Sequence, residues 1–331
     1  MATEYITPES EAHWLEMRRN DLTSTEASAL FNMSPYSTRY ELWHKKRGIL
    51  PEDFEDNDRV QAGRHIEPAI ASLVAERYGV VVEPFKRYAR DVQDRMGSSF
   101  DYLVTGVTEN DVTDHTLRDF FNDLGPGIIE CKNVDGLVFK RKWMDDETPA
   151  HIEIQLQHQL ELTRHGWGAV VALVGGNKLE TYVRERNAEF GQVLRNEIRK
   201  FWRSVDEDQA PPIIYPDDAE VVISMHQFSD GSIADARGDD AIGLLCAGYD
   251  DVSAQIKALE QQKEIFKAKI LDYAGDAATL LWDGGKVVLT QTKDSPGTLI
   301  TADMVGTHIG GRKGYRMARS YPKPKEASSN E

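Results

Sequence analysis

The run Gly127-Ile128-Ile129-Glu130-Cys131-Lys132 constrains this chain more than any other feature, because an apolar stretch ends there in an acid and a lysine two residues apart. Such a stretch predicts a β-strand, and successive side chains of a strand alternate between its two faces. Glu130 and Lys132 are therefore expected on one face, with Cys131 on the other. A second acid, Asp101, lies upstream in a predicted turn.

These residue types suit a metal-dependent site that cleaves phosphodiesters. Mg²⁺ prefers oxygen ligands and keeps several waters, so Asp101 and Glu130 could hold it while a substrate phosphate completes the shell. A nearby ammonium, Lys132, could orient the attacking water or offset charge on the phosphate. The Glu-x-Lys pattern alone is more typical of an ordinary exposed strand face, so the flanking sequence must decide.

Two predicted helices flank this strand in sequence. The first opens at Gly63–Pro68, and Glu67 borders its apolar face. The second begins at Thr148-Pro149, which resembles an N-cap followed by a first-turn proline. Gln155 and Gln159 lie one turn apart on a face beside its apolar residues. The alternation of Ile152, Ile154 and Leu156 also suits a strand.

Six segments of the chain, in this order and spacing, resemble the lambda-exonuclease-like YqaJ viral recombinases of the PD-(D/E)XK nuclease superfamily. They are residues 18–25, 34–36 with 41–43, 63–68, 100–101, 129–132 and 155–159. Each segment is weak alone, but six in order are specific. The resemblance extends over residues 10–205 and implies an α/β core with a mixed central sheet flanked by helices.

The resemblance also implies roles, residue by residue. Asp101 and Glu130 match the family's metal-binding acids, and Lys132 matches its catalytic lysine. Glu67 matches the acid contributed by the preceding helix, and Gln155 the glutamine that supports the site. Arg18 and Thr25 match positions associated with the 5′-phosphate of the digested strand. Phe100 stands where the family usually has proline, and residues 21–24 replace a glycine-rich stretch.

Composition and charge limit the classes of function that the chain can have. The chain has 331 residues and a formal net charge of −16, which at first sight opposes DNA binding. The acids cluster at 52–58, 206–208, 217–218 and 239–240, whereas basic groups gather at 39–47, 86–90 and 140–142. Those basic groups could line a DNA channel or could equally be solvated surface. Two cysteines and no apolar segment of membrane-spanning length predict a soluble protein of the host cytoplasm.

The sequence predicts four segments. Residues 1–205 form the YqaJ-like exonuclease domain, 206–250 a linker and helix, 251–318 an accessory region, and 319–331 a disordered tail. In the accessory region, apolar residues at alternating spacings of three and four, with Lys263 among them, predict an antiparallel helical pair in preference to an intermolecular coiled coil. Residues 280–290 predict a β-hairpin with a glycine turn.

The expected function is that of a phage-type exonuclease dependent on Mg²⁺ or Mn²⁺. The resemblance implies 5′-to-3′ digestion of linear double-stranded DNA, a 3′ single strand left for a phage annealing protein, and a homo-oligomer that could be ring-shaped. Two alternatives stay open at this point. One is an endonuclease of the same fold, and the other is a non-catalytic protein that binds DNA ends or a partner.

Overall fold

A computed structural model of the protein describes residues 3–51, 58–143 and 147–291. The chain divides into two compact units, residues 1–225 and 226–331. The end of the predicted accessory region and the predicted disordered tail, which fall on residues 292–331, lie outside the described residues. None of the helices in the described ranges is both long enough and apolar enough to cross a membrane.

The first unit alternates strands and helices along the chain. Its strands are β1 (Glu4–Ile6), β2 (Leu22–Thr23), β3 (Val80–Pro84), β4 (Tyr88–Asp91), β5 (Met96–Ser98), β6 (Tyr102–Val107), β7 (Gly127–Val134), β8 (Trp167–Val174) and β9 (Lys178–Glu185). Its helices are α1 (Glu11–Asn20), α2 (Arg39–Lys46), α3 (Asp58–Tyr78), α4 (Thr116–Leu124), α5 (Gly136–Lys142), α6 (Ala150–Thr163), α7 (Ala188–Asp206) and α8 (Ala219–Met225), with a 3₁₀ helix at Ala27–Phe31.

A five-stranded mixed sheet forms the centre of this unit. Its strand order is β3-β6-β7-β8-β9, and only the β7–β8 pair is parallel. A smaller sheet has the order β1-β4-β5-β2. The predicted fold class, an α/β core with a mixed central sheet flanked by helices, is confirmed.

The central sheet separates two apolar layers. Ile128 and Val134 of β7 pack in the layer that contains α6 and α7, whereas Ile129 and Cys131 pack in the layer that contains α3 and α4. All eight residues of β8 are buried, as expected for a strand covered on both faces. The predicted alternation is therefore correct, and Cys131 lies opposite Glu130 and Lys132.

Helix α6 lies inside the protein rather than on its surface. Its residues from Ile154 to Leu162 are all buried, and five of them carry polar or charged side chains. Buried polar groups need hydrogen-bond partners, so this helix must place each of them against a matching group. The helix prediction is confirmed over the strand alternative, although Pro149 rather than Thr148 occupies the N-cap position.

The second unit contains one long helix and a hairpin. The helix α9 runs over Asp240–Ala274, and the strands β10 (Thr279–Trp282) and β11 (Gly285–Val288) pair in antiparallel fashion as predicted. The predicted helical pair is wrong, because α9 is continuous. No proline or turn sequence interrupts it, and Lys263 is itself a good helix former. The helix ends at Gly275, whose φ of 53° favours glycine.

Candidate active site

Glu130 and Lys132 form the centre of the site on β7. The Nζ atom of Lys132 donates a 2.7 Å hydrogen bond to Oε1 of Glu130, so the two side chains do share a face. The Glu130 side chain is 5% exposed and that of Lys132 is 27% exposed. The carboxylate is thus almost fully enclosed, while part of the Lys132 side chain remains exposed.

Asp101 lies where the pairing of β6 with β7 ends, and this position holds it beside Glu130 and Lys132. The pairing of β6 with β7 ends at Tyr102 opposite Ile129, and the Asp101 carboxylate then accepts the N–H of Cys131 at 2.8 Å. The side chain therefore replaces a backbone acceptor in the ladder. Burial and the neighbouring charge of Glu130 raise the pKa of Asp101 well above its ordinary value.

Two glutamines of α6 hold the carboxylate of Glu130 from the adjacent layer. Gln155 Nε2 donates to Oε1 at 2.7 Å, and Gln159 Nε2 donates to Oε2 at 2.8 Å. Gln155 also accepts from Lys132 at 3.2 Å. The sequence reasoning selected Gln155 and missed Gln159, although their spacing of one helical turn was visible. Spacing shows that two residues share a face, but not that both reach the same acid.

Glu67, on α3, interacts electrostatically with Glu130 and Lys132. Burial and the charge of Glu130 raise the pKa of Glu67. Within residues 3–51, 58–143 and 147–291, no three His, Cys, Asp or Glu side chains are arranged to hold a metal ion.

The donor set fits a hard divalent cation. Asp101 and Glu130 offer oxygen atoms, and a small number of carboxylates with waters and substrate phosphate is the usual arrangement for Mg²⁺. The raised pKa of Asp101 shows that two negative charges are costly in this buried place. A divalent cation would offset that repulsion. Asp101 and Glu130 are accordingly the residues that could hold Mg²⁺ or Mn²⁺.

Arg18 and Thr25, the predicted contacts for a 5′-phosphate, lie side by side. Arg18 donates to the hydroxyl of Thr25 at 3.3 Å, and its guanidinium lies 4.8 Å from the ring centre of Trp14. Trp14 donates to the Ser99 hydroxyl at 2.9 Å, and Gln159 lies 3.3 Å from the Ser99 carbonyl. Contacts through Trp14 and Ser99 thus connect Arg18 and Thr25 to Gln159, whose amide donates to Glu130.

Tyr36 is an aromatic residue whose position the sequence did not indicate. Trp43 is buried, whereas Tyr36 in the 34–36 segment is 80% exposed. Ser34 fixes the turn by accepting the N–H groups of Tyr36 and Ser37. The ring meets His151 edge-on at 5.8 Å between ring centres.

This aromatic pair borders the lysine. The charge of Lys132 contributes to the lowered pKa of His151, after burial as the larger cause, and Tyr36 contributes to the raised pKa of Lys132. His151, Gln155 and Gln159 follow one another at intervals of one turn on α6. Tyr36 therefore contacts the outer end of the helix face that holds Glu130.

The basic segments are not equally available to a polyanion. In segment 39–47, Arg39 pairs with Glu197, Lys46 with Glu26, and Arg47 with Asp208. By contrast, residues 140–142 are exposed at the end of α5, and Lys142 is close enough to affect the pKa of His151. Of these two basic groups, the one on α5 is therefore the more accessible to a polyanion.

An open groove of about 1190 Å³ in the first unit includes Tyr36 in its lining. Its charged lining is mostly acidic and comprises Arg39, Glu41, Asp217, Asp218 and Glu220. Negative lining repels a phosphate backbone. The groove is therefore a poor path for a polyanion.

The predicted site residues lie within a part of the chain that matches a protein-family model. Residues 13–165 match the model of the YqaJ-like viral recombinase domain. This range is similar to the YqaJ-like viral recombinase domain. It contains every predicted site residue from Arg18 to Gln155, and the resemblance noted in the sequence is confirmed.

Relatives and solved structures extend the comparison. The chain is 24% identical over 261 residues to the uncharacterized protein YqaJ of Bacillus subtilis (strain 168), a match that covers 77% of this chain and 74% of that protein. It is similar to an alkaline exonuclease from Laribacter hongkongensis, at 16% identity and a TM-score of 0.45, over 60% of this chain and 94% of that one. It is also similar to a phage-related exonuclease from Haemophilus somnus 129PT, at 14% identity and a TM-score of 0.37, over 61% and 90% of the two chains. The YqaJ-like assignment rests on the sequence match rather than on these structural scores.

Proposed function

We propose that the YqaJ-like domain is a Mg²⁺- or Mn²⁺-dependent deoxyribonuclease that digests linear double-stranded DNA from its ends. The observation that carries the proposal is the arrangement of Asp101, Glu130 and Lys132 at one place on the central sheet. The bound cation would supply a water of lowered pKa and charge stabilisation at the phosphate. The match of residues 13–165 to the YqaJ-like viral recombinase domain supports a role on DNA.

Lys132 would act as a donor and not as a base. Burial lowers the pKa of a lysine, but the charges of Glu130 and Asp101 outweigh that effect and raise the pKa of Lys132. The amine thus stays protonated at neutral pH. An ammonium held at 2.7 Å from Glu130 can orient the attacking water by hydrogen bonding and offset negative charge on the phosphate.

The glutamines would keep Glu130 in a single orientation. Each carboxylate oxygen of Glu130 accepts a hydrogen bond from a glutamine side-chain amide. The carboxylate therefore cannot rotate without losing hydrogen bonds. Fixing a ligand in advance lowers the cost of binding and of reaching the transition state. Glu67 would add negative charge near the cluster, which further favours a cation there.

Arg18 and Thr25 would bind the terminal 5′-phosphate and so set the direction of digestion. A guanidinium is suited to phosphate because it offers several donors in a planar fork. On this proposal the enzyme digests 5′-to-3′ and leaves a 3′ single strand for a phage annealing protein. By resemblance to the family, it would work as a ring-shaped homo-oligomer in the host cytoplasm.

The test is digestion of linear duplexes that carry either 5′-phosphate or 5′-hydroxyl ends, with Mg²⁺, with Mn²⁺ and with a chelator. We expect metal-dependent release of nucleotides that is faster from the phosphorylated end. Lys132→Ala should abolish it. Lys178→Ala is the matched control, because Lys178 also pairs with an acid two residues away on a strand, Glu180, but on the exposed edge strand β9.

The same assay separates the two alternatives. Cleavage of a supercoiled plasmid, which has no ends, would identify an endonuclease of the same fold. DNA binding without any metal-dependent cleavage, unchanged in Lys132→Ala, would identify a non-catalytic protein that binds DNA ends and would overturn the proposal.

A further inference from the structure

Lys46, the last residue of α2, is a lysine whose side chain is 0% exposed. Its ammonium group donates 2.9 Å hydrogen bonds to the carbonyl oxygens of Arg18 and Asp21. It also pairs with Oε1 of Glu26 at 2.9 Å. An ammonium group has three donors, and here each of them has an acceptor. Because a buried charge must be paired and hydrogen-bonded, these contacts fix three separate groups around one atom.

Two of the contacts hold the backbone that carries Arg18. This residue lies in the last turn of α1, where the carbonyl groups of a helix have no partner within the helix itself. Lys46 donates to the Arg18 carbonyl and to that of Asp21, which occupies the C-cap position. At the other end of the residue, the Arg18 guanidinium lies 4.8 Å from the ring centre of Trp14. Arg18 is therefore held at its backbone and at its side chain.

Glu26 carries the third contact of Lys46 towards Thr25. Its second oxygen, Oε2, accepts hydrogen bonds from the N–H and from the hydroxyl of Thr23, each at 2.8 Å. The Thr23 hydroxyl lies 3.2 Å from the hydroxyl of Thr25, which accepts from Arg18 at 3.3 Å. Burial would raise the pKa of Glu26, but the charges of Lys46 and Arg18 outweigh that effect and lower the pKa. The carboxylate is thus ionised at neutral pH.

Two routes therefore lead from Lys46 to the pair that was predicted to contact a 5′-phosphate. One runs through the backbone of Arg18, and the other through Glu26 and Thr23 to the hydroxyl of Thr25. Both members of the pair are held relative to the same buried charge. Hydrogen bonds to a phosphate need donors at defined positions, and groups that are already in place lose less freedom on binding.

We propose that Lys46 is a positioning residue for the 5′-phosphate site and, by holding Arg18 and Thr25 in place, determines the preference for phosphorylated DNA ends. This inference rests on the proposed binding of the terminal 5′-phosphate by that pair. Lys46 itself does not touch DNA. The end of the basic segment 39–47 thus acts from inside the protein and not as part of a DNA channel.

The test is equilibrium binding of short blunt duplexes whose 5′ ends carry either phosphate or hydroxyl groups, with a chelator present so that no strand is cut. The wild type should bind the phosphorylated duplex more tightly. Lys46→Met keeps the aliphatic stem without the ammonium group, and should weaken binding of the phosphorylated duplex alone. Loss of a group that orients a metal ligand costs about 10- to 100-fold, and we expect a loss near the lower value here.

A purely structural role of Lys46 would give a different pattern. Folded Lys46→Met would then lose affinity for both duplexes equally, or for neither, and the preference would not change. Lys45→Met is the matched control, because Lys45 is the neighbouring residue on α2 and pairs with Glu41 of the same helix at 2.7 Å. It should keep the wild-type preference.

Thr23→Val tests the route through Glu26 without removing the buried charge. Valine has nearly the same shape as threonine and suits a strand, but it lacks the hydroxyl that lies between Glu26 and Thr25. It should lower the preference for phosphorylated ends by a smaller factor than Lys46→Met. Circular dichroism would show whether each variant folds, and Thr23→Val decides the question if Lys46→Met does not.

Failure of this inference can be told from failure of the proposed function. Equal binding of both duplexes by the wild type would overturn the 5′-phosphate assignment, and the role of Lys46 with it. A wild-type preference that persists in folded Lys46→Met, or in Thr23→Val if only that variant folds, would overturn the role of Lys46 alone. Metal-dependent cleavage of linear DNA is measured separately and does not enter either comparison.

Discussion

Gln159 donates a 2.8 Å hydrogen bond to Oε2 of Glu130, so a buried helix orients the strand acid together with Lys132 of its own strand. Gln155 holds the other oxygen from one turn earlier on α6. Two amides of one helix face thus fix both oxygens of a carboxylate that is 5% exposed. Whatever this carboxylate binds, its position depends on the packing of α6 against β7.

Gln159→Leu should therefore reduce cleavage without unfolding the protein. The leucine keeps the volume but leaves one oxygen of Glu130 without its donor. Loss of such a supporting hydrogen bond typically costs about 10- to 100-fold in activity or metal affinity. Initial rates of nucleotide release across a Mg²⁺ titration would measure both effects.

Gln157→Leu is the control for this change. Gln157 lies on the same helix and is 7% exposed, but it bonds to the Glu185 carbonyl and the Asn187 N–H, outside the site. It should lower stability and leave the Mg²⁺ dependence unchanged. Equal kinetic losses in the two variants would show that Gln159 acts only through folding.

Tyr36→Ala should weaken the binding of DNA more than it slows the chemical step. An exposed ring in a fixed turn next to Lys132 can stack on a nucleobase, and such stacking is worth about 1–3 kcal/mol per base. We expect KM for linear DNA to rise by at least about 5-fold, which corresponds to about 1 kcal/mol, with kcat little changed. Tyr36→Phe keeps the ring and should retain wild-type KM. If Tyr36→Phe is as impaired as Tyr36→Ala, the hydroxyl rather than the ring is what matters.

Arg195→Met should strongly destabilise the first unit. Its guanidinium, 2% exposed, bonds to Asp91 at 2.7 Å, Asp94 at 2.6 Å and Glu161 at 2.5 Å. Removing one partner of a buried ion pair leaves uncompensated charge, which costs about 3–5 kcal/mol. Urea unfolding would measure the change in the free energy of unfolding.

Arg199→Met provides the comparison, because Arg199 also pairs with Asp94 but its side chain is 37% exposed. We expect its loss to cost no more than about 1 kcal/mol. A similar cost for both variants would contradict the assignment of the buried network as the main contribution.

Stability should fall as pH falls below 6.5, and His158 should account for part of the slope. Burial lowers the pKa of His158 to about 3, below its ordinary 6.5, and its Nε2 lies 3.2 Å from the Leu22 carbonyl. Between these pH values the unfolded chain binds a proton that the folded protein does not. Unfolding is therefore favoured by acid, by up to about 1.4 kcal/mol per pH unit for one group.

His158→Gln removes this titration and retains a donor for the Leu22 carbonyl. Denaturant unfolding between pH 7 and 5 should show a shallower dependence of the free energy of unfolding on pH in the variant than in the wild type. Identical slopes would mean that His158 is protonated in the folded protein as readily as in the unfolded chain.

Local sequence was enough to predict the strand that carries Glu130 and Lys132, the helix that carries Gln155, and the hairpin near the end of the described chain. Each of these depends on periodicity or turn chemistry within about ten residues. The predicted helical pair was wrong because it also depended on local periodicity alone. A heptad seam shows that a helix has a partner, but the pattern is identical whether the partner is the same chain or another.

What the sequence by itself determined about this protein is its mixed α/β core and the order of acid, acid and lysine along it. Only the tertiary structure decided that Gln159 reaches Glu130, that Tyr36 is exposed, and that Glu197 neutralises Arg39. These pairs are distant in sequence, and whether they meet depends on how the layers pack. Hydrogen bonds and ion pairs are short-ranged, so no local pattern could indicate them.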